Sequence, residues 1–121
     1  MRMLIVLAVL AVAGCAMTPV QLREEGLRAT HDLRLPPNDA AACVARNIEE
    51  SGRDSMIGKF TTSVRAGRER GHAELLATSM EFTHMVADIE PSGSGSRATV
   101  WTSPRLIESL QQRLANSFKG C

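Results

Sequence analysis

Apolar and polar positions recur along this chain with several different periods, and each period predicts a different element. Residues 3–13, MLIVLAVLAVA, are an unbroken apolar run. From Ala16 to Pro37 the chain turns polar and is punctuated by Pro19, Gly26 and Pro36-Pro37. The apolar face of VQLREEGLRA is thin and Gly26 interrupts it, so residues 15–37 are predicted to be a flexible spacer. Ala40, Cys43, Val44, Asn47 and Ile48 then fall on one helical face, with Asn38 or Asp39 as the cap and Gly52 as the stop. Between Met56 and Ala66 the period drops to two: Met56, Gly58, Phe60, Thr62, Val64 and Ala66 alternate with a wetter set, the pattern of a half-buried strand. GRERG at 67–71 is a polar turn. His72–Ser79 and Thr83–Glu90 read as further strands joined by a corner at Met80–Phe82. Pro91–Ser96 reads as a flexible loop and Arg97–Thr102 as a fourth strand. A last helix is predicted from Ser103-Pro104, with Ile107, Leu110, Leu114 and Phe118 as its apolar stripe and Gly120 as its stop. Short links between strands favour an antiparallel meander, and two amphipathic helices need a sheet face to cover. The expected fold is therefore α+β: a two-layer sandwich of helix, four-stranded antiparallel meander and helix over residues 38–121, both helices on one sheet face.

The opening run changes the picture from fold to address. Arg2 precedes it, and it is too short to span a bilayer as a helix but has the length of a signal-peptide core. Its end, Val12-Ala13-Gly14-Cys15, resembles the bacterial lipobox, an apolar residue and two small residues before a cysteine. That resemblance covers the first 15 residues. It implies that residues 1–14 are a lipoprotein signal peptide and that Cys15 accepts a diacylglyceryl group as the first residue of the mature chain. Ordinary signal cleavage leaving Cys15 free is the alternative. Several acyl chains, each contributing about 0.8 kcal/mol per buried methylene, anchor a protein firmly. By the sorting rule of enteric lipoproteins, Ala16 after the lipidated cysteine directs the protein to the outer membrane, here with the domain facing the periplasm. The layout as a whole resembles small uncharacterised lipoproteins of the Gram-negative outer membrane, with one cysteine in the first helix and one at the C-terminus. That likeness names no activity.

Three cysteines are present, and lipid on Cys15 leaves Cys43 and Cys121. An exported chain meets an oxidising compartment, where such a pair usually closes a disulfide. Cys43 lies on the apolar face of the first helix, and Cys121 continues the stripe of the last one. With the helices side by side the thiols meet, at a gain of about 4 kcal/mol in the chain-entropy model. Two free cysteines are the alternative.

Composition narrows function mostly by exclusion. Without Arg2 the mature chain carries 13 basic and 13 acidic residues, so no overall field draws it to nucleic acid. Three Phe, one Trp and no Tyr leave the core to aliphatic residues and Met. His31, His72 and His84 lack metal-ligand spacing with one another or with Cys. Met80, His84 and Met85 suggest a soft copper site, although in an extended strand Met85 points away from the other two. The Ser/Gly run at 92–96 matches neither a nucleophile elbow nor a phosphate-binding loop. Glu49-Glu50, Asp88 and Glu90 are too scattered to imply paired-carboxylate chemistry. Arg65, Arg68 and Arg70 gather near the first turn, where lipid phosphates or an anionic polymer would suit them, but solvated arginines are the ordinary outcome. Trp101 is either core or, if exposed, a partner anchor. No catalytic, metal or cofactor residues are therefore assigned. The expectation is a non-enzymatic envelope lipoprotein that interacts with or assembles onto an envelope protein. A periplasmic small-ligand or metal binder, or an inhibitor of an envelope-targeting enzyme, is the alternative.

Overall fold

A computed structural model describes residues 17–55 and 58–121. The signal segment 1–14, the lipidation candidate Cys15, and Ala16 lie outside the described residues, as do Met56 and Ile57. The elements are α1 (Pro19–Glu25), β1 (Leu27–Leu33), α2 (Pro37–Ser51), β2 (Thr61–Ala66), β3 (Ala73–Ser79), β4 (Phe82–Ser92), β5 (Gly95–Thr102) and α3 (Glu108–Asn116). The fold is α+β with one antiparallel sheet, as the periodicity predicts, but the sheet has five strands in the order β1-β5-β4-β3-β2.

The extra strand comes from the expected spacer. Leu27 to Leu33 pair residue by residue with Thr102 to Ser96, which places β1 at one edge beside β5. α1 precedes it and begins with a capping box: the Thr18 hydroxyl accepts from the Gln21 N–H at 3.2 Å, and Gln21 Oε1 accepts from the Thr18 N–H at 3.0 Å. Residues 18–33 thus belong to the folded unit, and the expectation of a flexible tether reaching to residue 37 is corrected. From β1 the chain crosses to the other edge through α2, which packs across β2, β3, β4 and β5, and returns as the β2–β5 meander.

Strand alternation gives the sheet two apolar faces. Leu75, Ala77, Met85, Ala87, Ile89, Ala98 and Val100 point into the main core with Ala40, Val44 and Ile48 of α2. Leu114, Phe118 and Cys121 join the same cluster. On the other face, Leu76 and Val86 enclose Leu22 of α1, with Met17 and Trp101 packed around them. Burying Leu22 completely contributes roughly 2 kcal/mol, which helps a seven-residue helix persist.

Two turns differ from expectation. The Pro91–Ser96 loop is a two-residue hairpin, with Ser92 paired to Gly95 and Gly93 at φ +58°, a conformation glycine adopts without steric cost. The corner at Met80–Phe82 is also a two-residue hairpin, closed by the Ser79–Phe82 pair. α3 starts at Glu108 rather than at Ser103, because the Ser103 carbonyl accepts from the Leu106 N–H and forms a turn first.

Candidate functional site

Three of the six exposed large apolar side chains among the described residues, Met80, Phe82 and Ile107, lie in or next to the segments at the end of the sheet where β4 begins. Met17 lines a groove of about 130 Å³ with Phe82, His84, Ser103, Arg105 and Leu106. The Ser103 hydroxyl donates to the Met17 sulfur at 3.7 Å, and the Ser103 N–H donates to the His84 carbonyl at 2.8 Å, which ties the chain leading into α1 to the exit of β5. Phe82 in the groove lining is 46% exposed; Met80, two residues before it in the turn, is 86% exposed, and Ile107, next to the lining residue Leu106, is 59% exposed. Met80 and Glu81 form the β3–β4 turn with φ of 52° and 70°. Both values are positive, as in a type I′ turn, where Asn and Gly are the usual residues. A methionine held there against its backbone preference and pointed at solvent is the most unusual feature of the surface.

This arrangement disperses the residues considered for copper. β4 carries a bulge: Ala77 pairs with Met85 and Thr78 with Thr83, which leaves His84 as the extra residue. Its ring meets Phe60 edge-on at 5.7 Å, and burial pushes its pKa down. Met85 is fully buried in the core while Met80 stands at the turn tip. Among the described residues, no group of three His, Cys, Asp or Glu side chains is placed to hold a metal ion.

The opposite end of the sheet is polar. Arg68 and Arg70 lie exposed in the β2–β3 turn, where His72 Nε2 sits 3.4 Å from Glu69. Arg65 is not part of that cluster; its guanidinium pairs with Glu74. Glu74 is almost buried and also accepts from Arg23, which makes a two-pronged contact with Asp88 at 2.7 and 3.0 Å. The Asp88 hydrogen bonds, and those of Glu74, raise the Arg23 pKa further above its already high value. The same guanidinium lies 5.9 Å from the centre of the Trp101 ring. Trp101 is therefore a packing partner of α1 rather than a free anchor. Sequence reasoning misses this cluster because its members are far apart in the chain. The one local signal is Thr18-Pro19-Val20-Gln21, a capping box with proline in the first turn.

The Cys43 and Cys121 sulfurs lie 2.09 Å apart, at disulfide distance, and the two residues are 78 positions apart in the chain. The C-terminal segment is also held without the sulfurs: the Leu35 N–H donates to the Cys121 carbonyl at 2.9 Å, Arg34 to the Gly120 carbonyl at 2.9 Å, and Asn47 to the Ser117 carbonyl at 3.0 Å. His31 stacks on Phe118 at 4.6 Å beside this clasp, and burial lowers its pKa. An open groove of about 410 Å³ runs past His31, Arg34 and Lys119. Another of about 450 Å³ passes Arg46, Glu49, Arg53 and Lys59. Glu49 accepts from the Thr62 backbone and hydroxyl, a structural use of one carboxylate from the scattered acidic set. No helix among the described residues is long and apolar enough to cross a membrane. No protein-family model matches the chain, and no curated protein matches it in sequence.

Proposed function

We propose that this chain is a lipoprotein of the bacterial outer membrane, anchored through acylated Cys15, whose folded domain binds another envelope protein and catalyses no reaction. The observation that carries the anchor is the sequence Val12-Ala13-Gly14-Cys15 at the end of an apolar run opened by Arg2. The small domain that follows, with its Cys43–Cys121 pair at disulfide distance, suits an oxidising compartment and supports export.

The partner-binding reading is supported by the two sheet edges. β1 and β2 are each paired on one side only, and most of their residues are exposed. Such edges are natural templates for an added strand from a partner. Fatty-acid labelling in cells tests the anchor: wild type takes up label and partitions with outer membranes, and Cys15→Ser does neither. A photocrosslinking amino acid at Ser63 on β2, and another at Thr30 on β1, tests the partner. A discrete crosslinked envelope protein from one edge is expected. Crosslinks to solvent-exposed bystanders in proportion to their abundance, from both edges, refute the partner reading.

A further inference from the structure

We propose that the end of the sheet formed by Met80, Phe82 and Ile107 rests on the bilayer, so that the domain sits on the membrane surface in one orientation instead of hanging from it. This rests on the lipid anchor at Cys15. Only Ala16 separates Cys15 from Met17, and two peptide units reach at most about 7 Å. Met17 is packed against Ser103 and shares its groove with Phe82, so the anchor leaves the domain at this end.

The chemistry of that end fits a lipid surface. Among the six large apolar side chains exposed in the described residues, Leu27, Met80, Phe82 and Ile107 belong to this end, and Val20 stands three residues after Met17. Leu27 enters through its pairing with Thr102, next to Ser103 of the groove. Arg105 lines the groove and suits a lipid phosphate. Glu81 and Glu108 flank the apolar residues, so the contact is driven by apolar insertion and is only weakly sensitive to salt. The backbone at Met80 adopts a conformation that favours Asn or Gly, yet a long, flexible apolar side chain occupies it. At the other end, about 33 Å away along β4, lie the Gly93 hairpin and the exposed Arg68 and Arg70. Those arginines then face away from the membrane that carries this protein.

The test uses full-length lipidated protein in vesicles of phosphatidylethanolamine and phosphatidylglycerol. An environment-sensitive fluorophore is attached at Met80→Cys, and in a second preparation at Ser94→Cys in the far hairpin. The Met80 label is expected to shift to the blue and to be quenched several-fold more by lipid-borne quencher than by aqueous iodide, and the Ser94 label to show the reverse. Replacing Phe82 and Ile107 with Ser should return the Met80 label toward the aqueous behaviour while the protein still floats with the vesicles. Equal iodide quenching at both sites on floating protein overturns the orientation and leaves the anchor standing. Protein that does not float and carries no acyl mass on Cys15 overturns the anchor, and the orientation with it. Iodide protection of the Met80 label in lipid-free Cys15→Ser protein assigns this face to a second copy of the chain and also overturns the proposal.

Discussion

Reducing the Cys43–Cys121 bond should cost this domain more stability than any single side-chain truncation. The bond closes a loop spanning 78 positions, for which the chain-entropy model gives about 4.5 kcal/mol at 25 °C. Unfolding entropy near 2.1 cal/mol/K per residue gives about 0.2 kcal/mol/K for a domain of about 100 residues, so the midpoint should fall by about 20 °C. The native state should survive reduction at room temperature, because the clasp keeps the hydrogen bonds of Leu35, Arg34 and Asn47 to the C-terminal segment. The assay is thermal unfolding of soluble Cys15→Ser protein followed by circular dichroism, with and without reductant, beside the Cys43→Ala/Cys121→Ala double variant. Agreement between reduced protein and double variant isolates the cross-link from the packing of the sulfurs. A midpoint change below about 5 °C would refute the loop-closure reasoning and assign the stability to the clasp instead.

Arg23→Ala leaves nearly buried Glu74 with Arg65 as its ion-pair partner and should cost about 2 kcal/mol, measured by urea unfolding; a loss within error would mean that Glu74 is adequately solvated without α1. Gly95→Ala places a Cβ 2.1 Å from the Leu33 carbonyl and should cost more than about 2 kcal/mol, because backbone must move at the start of both β5 and the β1 pairing; an unchanged midpoint refutes this. His31 and His84 both have folded pKa values pushed below the ordinary 6.5 by burial. The unfolded chain therefore takes up protons first, so stability is complete above about pH 6.5 and falls as pH drops through that value toward the folded pKa values. His31→Phe, which can keep the stack on Phe118, should flatten this dependence in melts between pH 5 and 8; an identical slope would clear His31 of any part in it. Finally, Met80→Asn with Glu81→Gly relieves two positive-φ residues and should stabilise the domain by roughly 1–2 kcal/mol. If the turn touches lipid, the same change should weaken contact with vesicles, so that a gain in stability accompanies a loss of membrane contact.

The clearest alternation in the sequence, Met56 to Ala66, belongs to the edge strand β2, which begins only at Thr61 and leaves Val64 and Ala66 exposed, so the expected half-buried face is not formed there; the central strands divide their burial over two faces instead. In β3, Leu75 and Ala77 serve one cluster and Leu76 the other, and β4 and β5 divide likewise. β1 carries a weaker alternation, with Leu27, Ala29, His31 and Leu33 on one side, but it is an edge strand and Leu33 is its one buried residue. Pairing with β5, some seventy residues away, decides its conformation, and no local pattern reports that. The same distance hides the Arg23–Glu74–Asp88 cluster. The cysteine pair is legible because two independent features converge on it, the apolar face bearing Cys43 and the stripe leading to Cys121. The Ser/Gly hairpin is illegible for the opposite reason. Its composition is that of a mobile linker, whereas Gly93 supplies the turn conformation and Gly95 allows the Leu33 carbonyl to come close.

The position of β1 has a mechanical consequence. If the chain is anchored at Cys15 as proposed, any pull applied at the Gly93 hairpin loads it along its strands. Seven residue pairs, from Leu27–Thr102 to Leu33–Ser96, lie across that line of force. Because antiparallel hydrogen bonds run perpendicular to the strands, such a load shears all of them together instead of opening them one at a time. Before the load reaches them it must draw Leu22 from its pocket and part Arg23 from Glu74 and Asp88. The segment that composition marks as slack is thus arranged as a strain relief, a short fixture that takes tension before the sheet does.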